Sequence, residues 1–98
     1  MSKDRIYITI NHLDNYGGTK GFRVNDELFL KKDTDNPFDD EAVAVYNRHN
    51  VKCGYVANSV YSVARGTRSA GRIYDRIKDS QECIVRFITE DSLISELL

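Results

Sequence analysis

No uninterrupted apolar run in this chain is longer than five residues, the stretch from Ala42 to Tyr46. A membrane-spanning helix needs roughly 18, so a span of that kind is excluded. The sequence offers instead a series of short segments with the two-residue period of strands, parted by turn residues. Ile6, Ile8 and Ile10 alternate with Tyr7, Thr9 and Asn11, as in a half-buried strand. Glu27 to Lys31 repeats the pattern with Leu28 and Leu30 in register. Ala42 to Tyr46 and Val51 to Val56 flank Asn47-Arg48-His49-Asn50, the layout of a hairpin. Cys83, Val85 and Phe87 alternate with Ile84, Arg86 and Ile88 in a fifth strand that precedes a Ser/Leu/Glu tail. Both faces of that strand are largely apolar, which suits burial on both sides.

The connections are equally distinct. Asn15 to Gly21 places three glycines in a loop open to unusual backbone angles, and Asp33 to Asp40 holds the only proline, Pro37, in a turn-rich loop. From Asn58 the period changes. Val60, Val63 and Ala64 predict a short helix between a capping Asn58 or Ser59 and a terminating Gly66. A second helix is expected from Thr67 or Ser69 to about Lys78, with Ala70, Ile73, Tyr74 and Ile77 on one face and Arg68, Arg72 and Arg76 on another. Five short strands with a helical insert before the last imply a strongly bent sheet or partly closed barrel.

At 98 residues, 41% hydrophobic and 30% charged, the chain is expected to form a single ordered domain over 1–98. Met1 to Asp4 shows no signal-peptide core, so the expectation is a complete cytoplasmic chain with no membrane partner. Two cysteines, Cys53 and Cys83, then read as reduced core thiols rather than a disulfide framework. With His12 and His49 they make no zinc-type spacing.

The net charge of −1 conceals an uneven distribution. Residues 48–78 carry seven Lys/Arg against one Asp/Glu, while 1–47 are net −3 and 79–98 net −4. A basic block between acidic flanks fits an anionic partner, or a solvated face balanced by its neighbours in space.

Few groups are set for catalysis. Counted from Asp33, the positions that a calcium loop fills with glycine and glutamate hold Phe38 and Ala44. There is no phosphate loop, nucleophile elbow or cofactor motif. Gly66 to Arg72 combines hydroxyl side chains with arginines at a helix start, which suits a phosphate or simply a joint between two helices.

The run Asp33-x-Asp35-Asn36-Pro37-Phe38-Asp39-x-x-Ala42-Val43-Ala44-Val45-Tyr46, followed by Cys53-Gly54-Tyr55-Val56, resembles the HIRAN domain. The resemblance implies a mainly β (α+β) architecture. It would be a five- to six-stranded OB-like or SH3-like bent sheet or partly open barrel, with one or two short helices before the last strand. It also implies capture of single-stranded DNA at a 3′ end. Phe38 falls on the family's stacking aromatic, Asp39 on the acidic residue beside the terminal hydroxyl and Asn36 on the loop asparagine. Tyr16 or Asn15 falls on an aromatic pair in the first loop, and Tyr55 on a position often held by histidine. Two departures remove positive charge: Asp14 stands where DNA-binding members have arginine, and Asn58 where a lysine opens the helix. Arg65, Arg68, Arg72 and Arg76 could compensate, or could serve a different ligand. Each position also has a plain structural use: Phe38 packing over the barrel end, Asp39 organising its turn, Tyr16 and Tyr55 at the rim.

The leading expectation is a non-enzymatic nucleic-acid-binding module without cofactor or metal, its partner single-stranded DNA or DNA ends. The alternatives are a barrel that binds a charged protein or peptide, and a metal-dependent phosphoesterase or nuclease using Asp33, Asp35 and Asp39.

Overall fold

Ile8 with Ile10, Leu28 with Leu30, Val43 with Val45, and Cys83 with Val85 are alternate positions of four strands, and all eight side chains meet in one buried cluster. The computed structural model describes residues 5–14 and 17–98. Its strands are β1 (Tyr7–Asn11), β2 (Glu27–Lys32), β3 (Val43–Tyr46), β4 (Lys52–Val56), β5 (Gln81–Ile88) and β6 (Leu93–Leu97). One helical turn, α1 (Ala70–Ile73), lies between β4 and β5. All pairings are antiparallel, in the order β1-β4-β3-β2-β5-β6, and β6 returns to β1 to close a barrel. Each fully buried Ile, Leu or Val contributes about 1.5–3 kcal/mol, so the two-residue period is the main stabilising pattern.

The tail after β5 is a strand, and the barrel is closed where a partly open one was expected. β6 pairs on both sides, Glu96 lying opposite Tyr7 of β1 and Ile84 of β5, while Leu93 and Ser95 are buried. β5 departs from plain alternation at Arg86, an extra residue between Val85 and Phe87 in the ladder with β6. The bulge turns Phe87 outward, 62% exposed, instead of inward with Cys83 and Val85.

The helix expected after Asn58 does not form. Val63 N–H donates to Ser59 O, closing a single turn. Ser59 Oγ accepts from Tyr61 N–H, and Ala64 N–H donates to Thr9 Oγ1 of β1 rather than continuing a helical ladder. Thr67 Oγ1 donates to Ala64 O and so accepts from Thr9 Oγ1, which leaves the buried Thr9 satisfied as donor to Thr67 and acceptor from Ala64 N–H. Side-chain bonds outcompete a helix too short to stand without packing.

The second helix is reduced to α1 and the turn after it, though its apolar stripe is as expected. Ala70, Ile73 and Ile77 are buried in the core and Tyr74 packs against it. Ser69 makes no capping bond, and Gly71 N–H is drawn to Asn58 Oδ1 at 2.8 Å. In the first loop Gly17 and Gly18 take positive φ of 89° and 75°, as the glycine cluster implies.

Candidate functional site

The 33–42 loop is built by its own side chains. Asn36 Oδ1 accepts from Phe38 N–H at 2.8 Å and Asp39 N–H at 3.1 Å, bridging Pro37, which has no N–H to give. Asp39 Oδ1 accepts from Glu41 N–H at 2.9 Å, and Asp33 N–H donates to Ala42 O at 2.8 Å to close the loop. The backbone under Phe38 is therefore fixed while its ring is 94% exposed. Phe38 does not pack over the barrel end.

Opposite this loop stands β4. Residues three apart on a regular strand point to opposite faces, yet Lys52 and Tyr55 meet. The cause is an irregularity in the β3–β4 ladder: Gly54 pairs with Val45 but Lys52 with Tyr46, which leaves Cys53 as an extra residue. The shift puts Lys52 and Tyr55 on one outward face. Lys52 Nζ donates to Tyr55 Oη at 2.9 Å, and Tyr55 Oη donates to Asp33 Oδ2 at 2.9 Å. The hydroxyl as acceptor holds the Lys52 ammonium above its ordinary pKa, with the charge of Asp33 adding to the effect. Asn36 Nδ2 also donates to Asp33 Oδ2, at 3.3 Å.

Asn58 joins the two sides. Its Nδ2 donates to Asp39 Oδ2 at 3.0 Å and its Oδ1 accepts from Gly71 N–H, linking the loop to α1. His12, at a positive φ of 58°, meets Tyr55 edge to face at 6.4 Å. Between these groups lies a cleft of about 800 Å3 lined by Asp33, Asp35 and Asp39, with Lys52 the one lysine or arginine among the described residues that line it. Each Asp39 oxygen accepts one bond, so each keeps capacity for a further donor.

Five expected residues, Asn36, Phe38, Asp39, Tyr55 and Asn58, line this cleft together. Tyr16 lies outside the described residues. Arg65, Arg68 and Arg72 do not line it. Arg65 and Arg72 are exposed, whereas Arg68 is half-buried and its N–H donates to Tyr7 O at 2.7 Å. No side-chain hydrogen bond or ion pair engages these three arginines among the described residues. The sequence reading missed Lys52 and His12, and took Asp33 as part of the loop motif, a turn residue or a metal ligand, not as the acceptor for Tyr55. The signals for them are a strand bulge and a positive φ, which no spacing displays. Among the described residues, no three His, Cys, Asp or Glu side chains group to hold a metal ion.

The fold is thus a small closed barrel with a bare aromatic ring beside a cleft of hydrogen-bonding groups. The chain belongs to the HIRAN domain family, whose model matches residues 5–91. The HIRAN domain of human HLTF superposes with a TM-score of 0.69 at 19% identity, covering 95% of this chain and 72% of that one. A protein from Lactobacillus plantarum superposes with a TM-score of 0.63 at 18% identity, covering 96% and 93%. At such identities the likeness is one of fold. No curated protein matches the sequence. HIRAN domains form a family of DNA-binding modules.

Proposed function

We propose that this chain is a non-enzymatic module that binds single-stranded DNA by a free 3′ end, seated in the cleft between the 33–42 loop, β4 and Asn58. The observation that carries the reading is Phe38, 94% exposed on a backbone fixed by Asn36. A base stacked on such a ring gains about 1–3 kcal/mol, and the ring needs no rearrangement to receive it. Asp39 has acceptor capacity for a terminal hydroxyl. A terminal phosphate has no such proton to give and meets three carboxylates. Unit like charges about 4 Å apart near a protein surface cost about 4 kcal/mol. The choice of the 3′ end over the 5′ end follows the family resemblance.

Asp14 and Asn58 weaken the usual phosphate path, and the unpaired Arg65, Arg68 and Arg72 supply a substitute for internal phosphates. Each phosphate neutralised on a single strand steepens the salt dependence of log K by about 0.7. Cytoplasmic residence belongs to the same proposal.

The test is fluorescence anisotropy at low salt with single-stranded hexanucleotides ending in a 3′-hydroxyl or a 3′-phosphate. The hydroxyl end is expected to bind more tightly, and Phe38→Ala to weaken it by about 5- to 150-fold. Equal affinity for both ends with no effect of Phe38→Ala would refute end capture. Failure of any oligonucleotide to bind would leave a charged protein or peptide as the partner to seek.

A further inference from the structure

A second cleft, of about 460 Å3, lies beside the first between β1, the 58–66 segment and the β5–β6 turn. Asn11, His12 and Ser62 line both, so one continuous surface leads from Phe38 past Ser62 to Tyr61. Tyr61 is 97% exposed at this second cleft and Val60, beside it, 88%. The segment that presents them is held in place. Tyr61 N–H donates to Ser59 Oγ at 3.1 Å, and Ala64 N–H reaches Thr9 Oγ1 inside the barrel wall at 3.0 Å. A fixed backbone carrying a bare aromatic ring is what Phe38 also presents, and successive rings along one track are how single strands are held without a sequence code.

The charges decide which part of the strand faces inward. Asp14 and Asp91 line the second cleft, so phosphates are kept off it and a base is admitted. Arg65 follows in the same segment, exposed and without a side-chain partner among the described residues.

We propose that Tyr61 is a second base-stacking platform, so that a single-stranded polynucleotide seated at Phe38 continues across Ser62 and lays a further base on the Tyr61 ring. The inference rests on the nucleic-acid reading of the first cleft. It extends the ligand from an end group to a strand of several nucleotides.

The experiment is anisotropy with a fluorescein-labelled single-stranded hexanucleotide bearing a free 3′-hydroxyl, titrated with wild type, Tyr61→Ala, Tyr61→Phe and Phe38→Ala. Since Tyr61 is bare, its variants are expected to melt with the wild type. Tyr61→Ala is expected to weaken binding by about 5- to 150-fold, with Tyr61→Phe within about twofold of wild type. Unchanged affinity in Tyr61→Ala while Phe38→Ala still weakens binding would overturn the second platform and leave the first cleft standing. Equal losses in Tyr61→Ala and Tyr61→Phe would overturn stacking, because the phenylalanine retains the ring. If the wild type binds no hexanucleotide, both readings fall.

Discussion

Burial pushes the Cys83 thiol up to about 12 and the Cys53 thiol up to about 11, from an ordinary 9.0, because the surroundings do not solvate a thiolate. The folded chain therefore keeps two protons that the unfolded chain releases above pH 9. Their stabilising effect is complete below pH 9 and is lost as pH rises through about 11 and 12. The slope reaches about 1.4 kcal/mol per pH unit for each thiol. The expected result is that the urea-unfolding free energy falls more steeply between pH 9 and 11 in the wild type than in the Cys53→Ala/Cys83→Ala double variant. Equal slopes would show that the thiols titrate alike in both states. At this scale much was legible in the sequence. The cysteines read as core and are buried; Asn36, Phe38 and Asp39 were singled out through the family resemblance, and the fold brings them to one cleft. Lys52 and His12 did not, because a lysine three residues before a tyrosine has no meaning until Cys53 is known to be an extra residue in the ladder.

Among the elements, β1 and β4 approach closely at Gly54. Gly54 faces the core, where an added Cβ would stand 2.6 Å from Asn11 O and 2.9 Å from Leu13 Cδ2. The first neighbour is backbone in a paired strand, so relief requires the two strands to part. Overpacking of this kind costs about 1–3 kcal/mol, which for a domain of this size lowers Tm by about 5–20 °C. Gly54→Ala is expected to show that loss in a thermal melt and, since Asn11 and Tyr55 are paired across the same ladder, to weaken any ligand bound in the cleft. A Tm within about 2 °C of wild type, well short of that loss, would mean that the strands part at little cost. Strands were the readable elements because period-2 burial is local: Ile8 and Ile10 are buried as their spacing implies. The segment from Asn58 to Gly66 was misread because Thr9, some fifty residues earlier in the chain, takes the Ala64 N–H. The outward turn of Phe87 depends on the bulge at Arg86, which the sequence does not mark.

For the molecule as a whole, closure depends on β6, the element the sequence showed least. The family match ends at residue 91, before this strand begins. Yet β6 is the piece that leaves neither β1 nor β5 with an open edge. It buries Leu93 and Ser95, and its Glu96 accepts from Arg86 at 2.9 Å across the β5–β6 seam. Its apolar signal is short and broken by Ser95 and Glu96, so as a tail it reads as polar; pairing on both sides makes it a strand. Cutting the chain after Ser92 removes one stave and exposes the backbone donors and acceptors of two others. Losing Leu93 alone costs about 2–5 kcal/mol on the scale of large-to-small core changes, a large share of the 5–15 kcal/mol that holds a typical domain. The 1–92 chain is expected to lose cooperative thermal unfolding and the dispersion of its amide resonances. A sharp transition retained in that chain would mean that five strands hold the core unaided. The cleft would then be independent of closure, since none of its lining residues comes from β5 or β6. Loss of the transition would instead make the Phe38 loop a feature that β6 supports from the far side of the barrel.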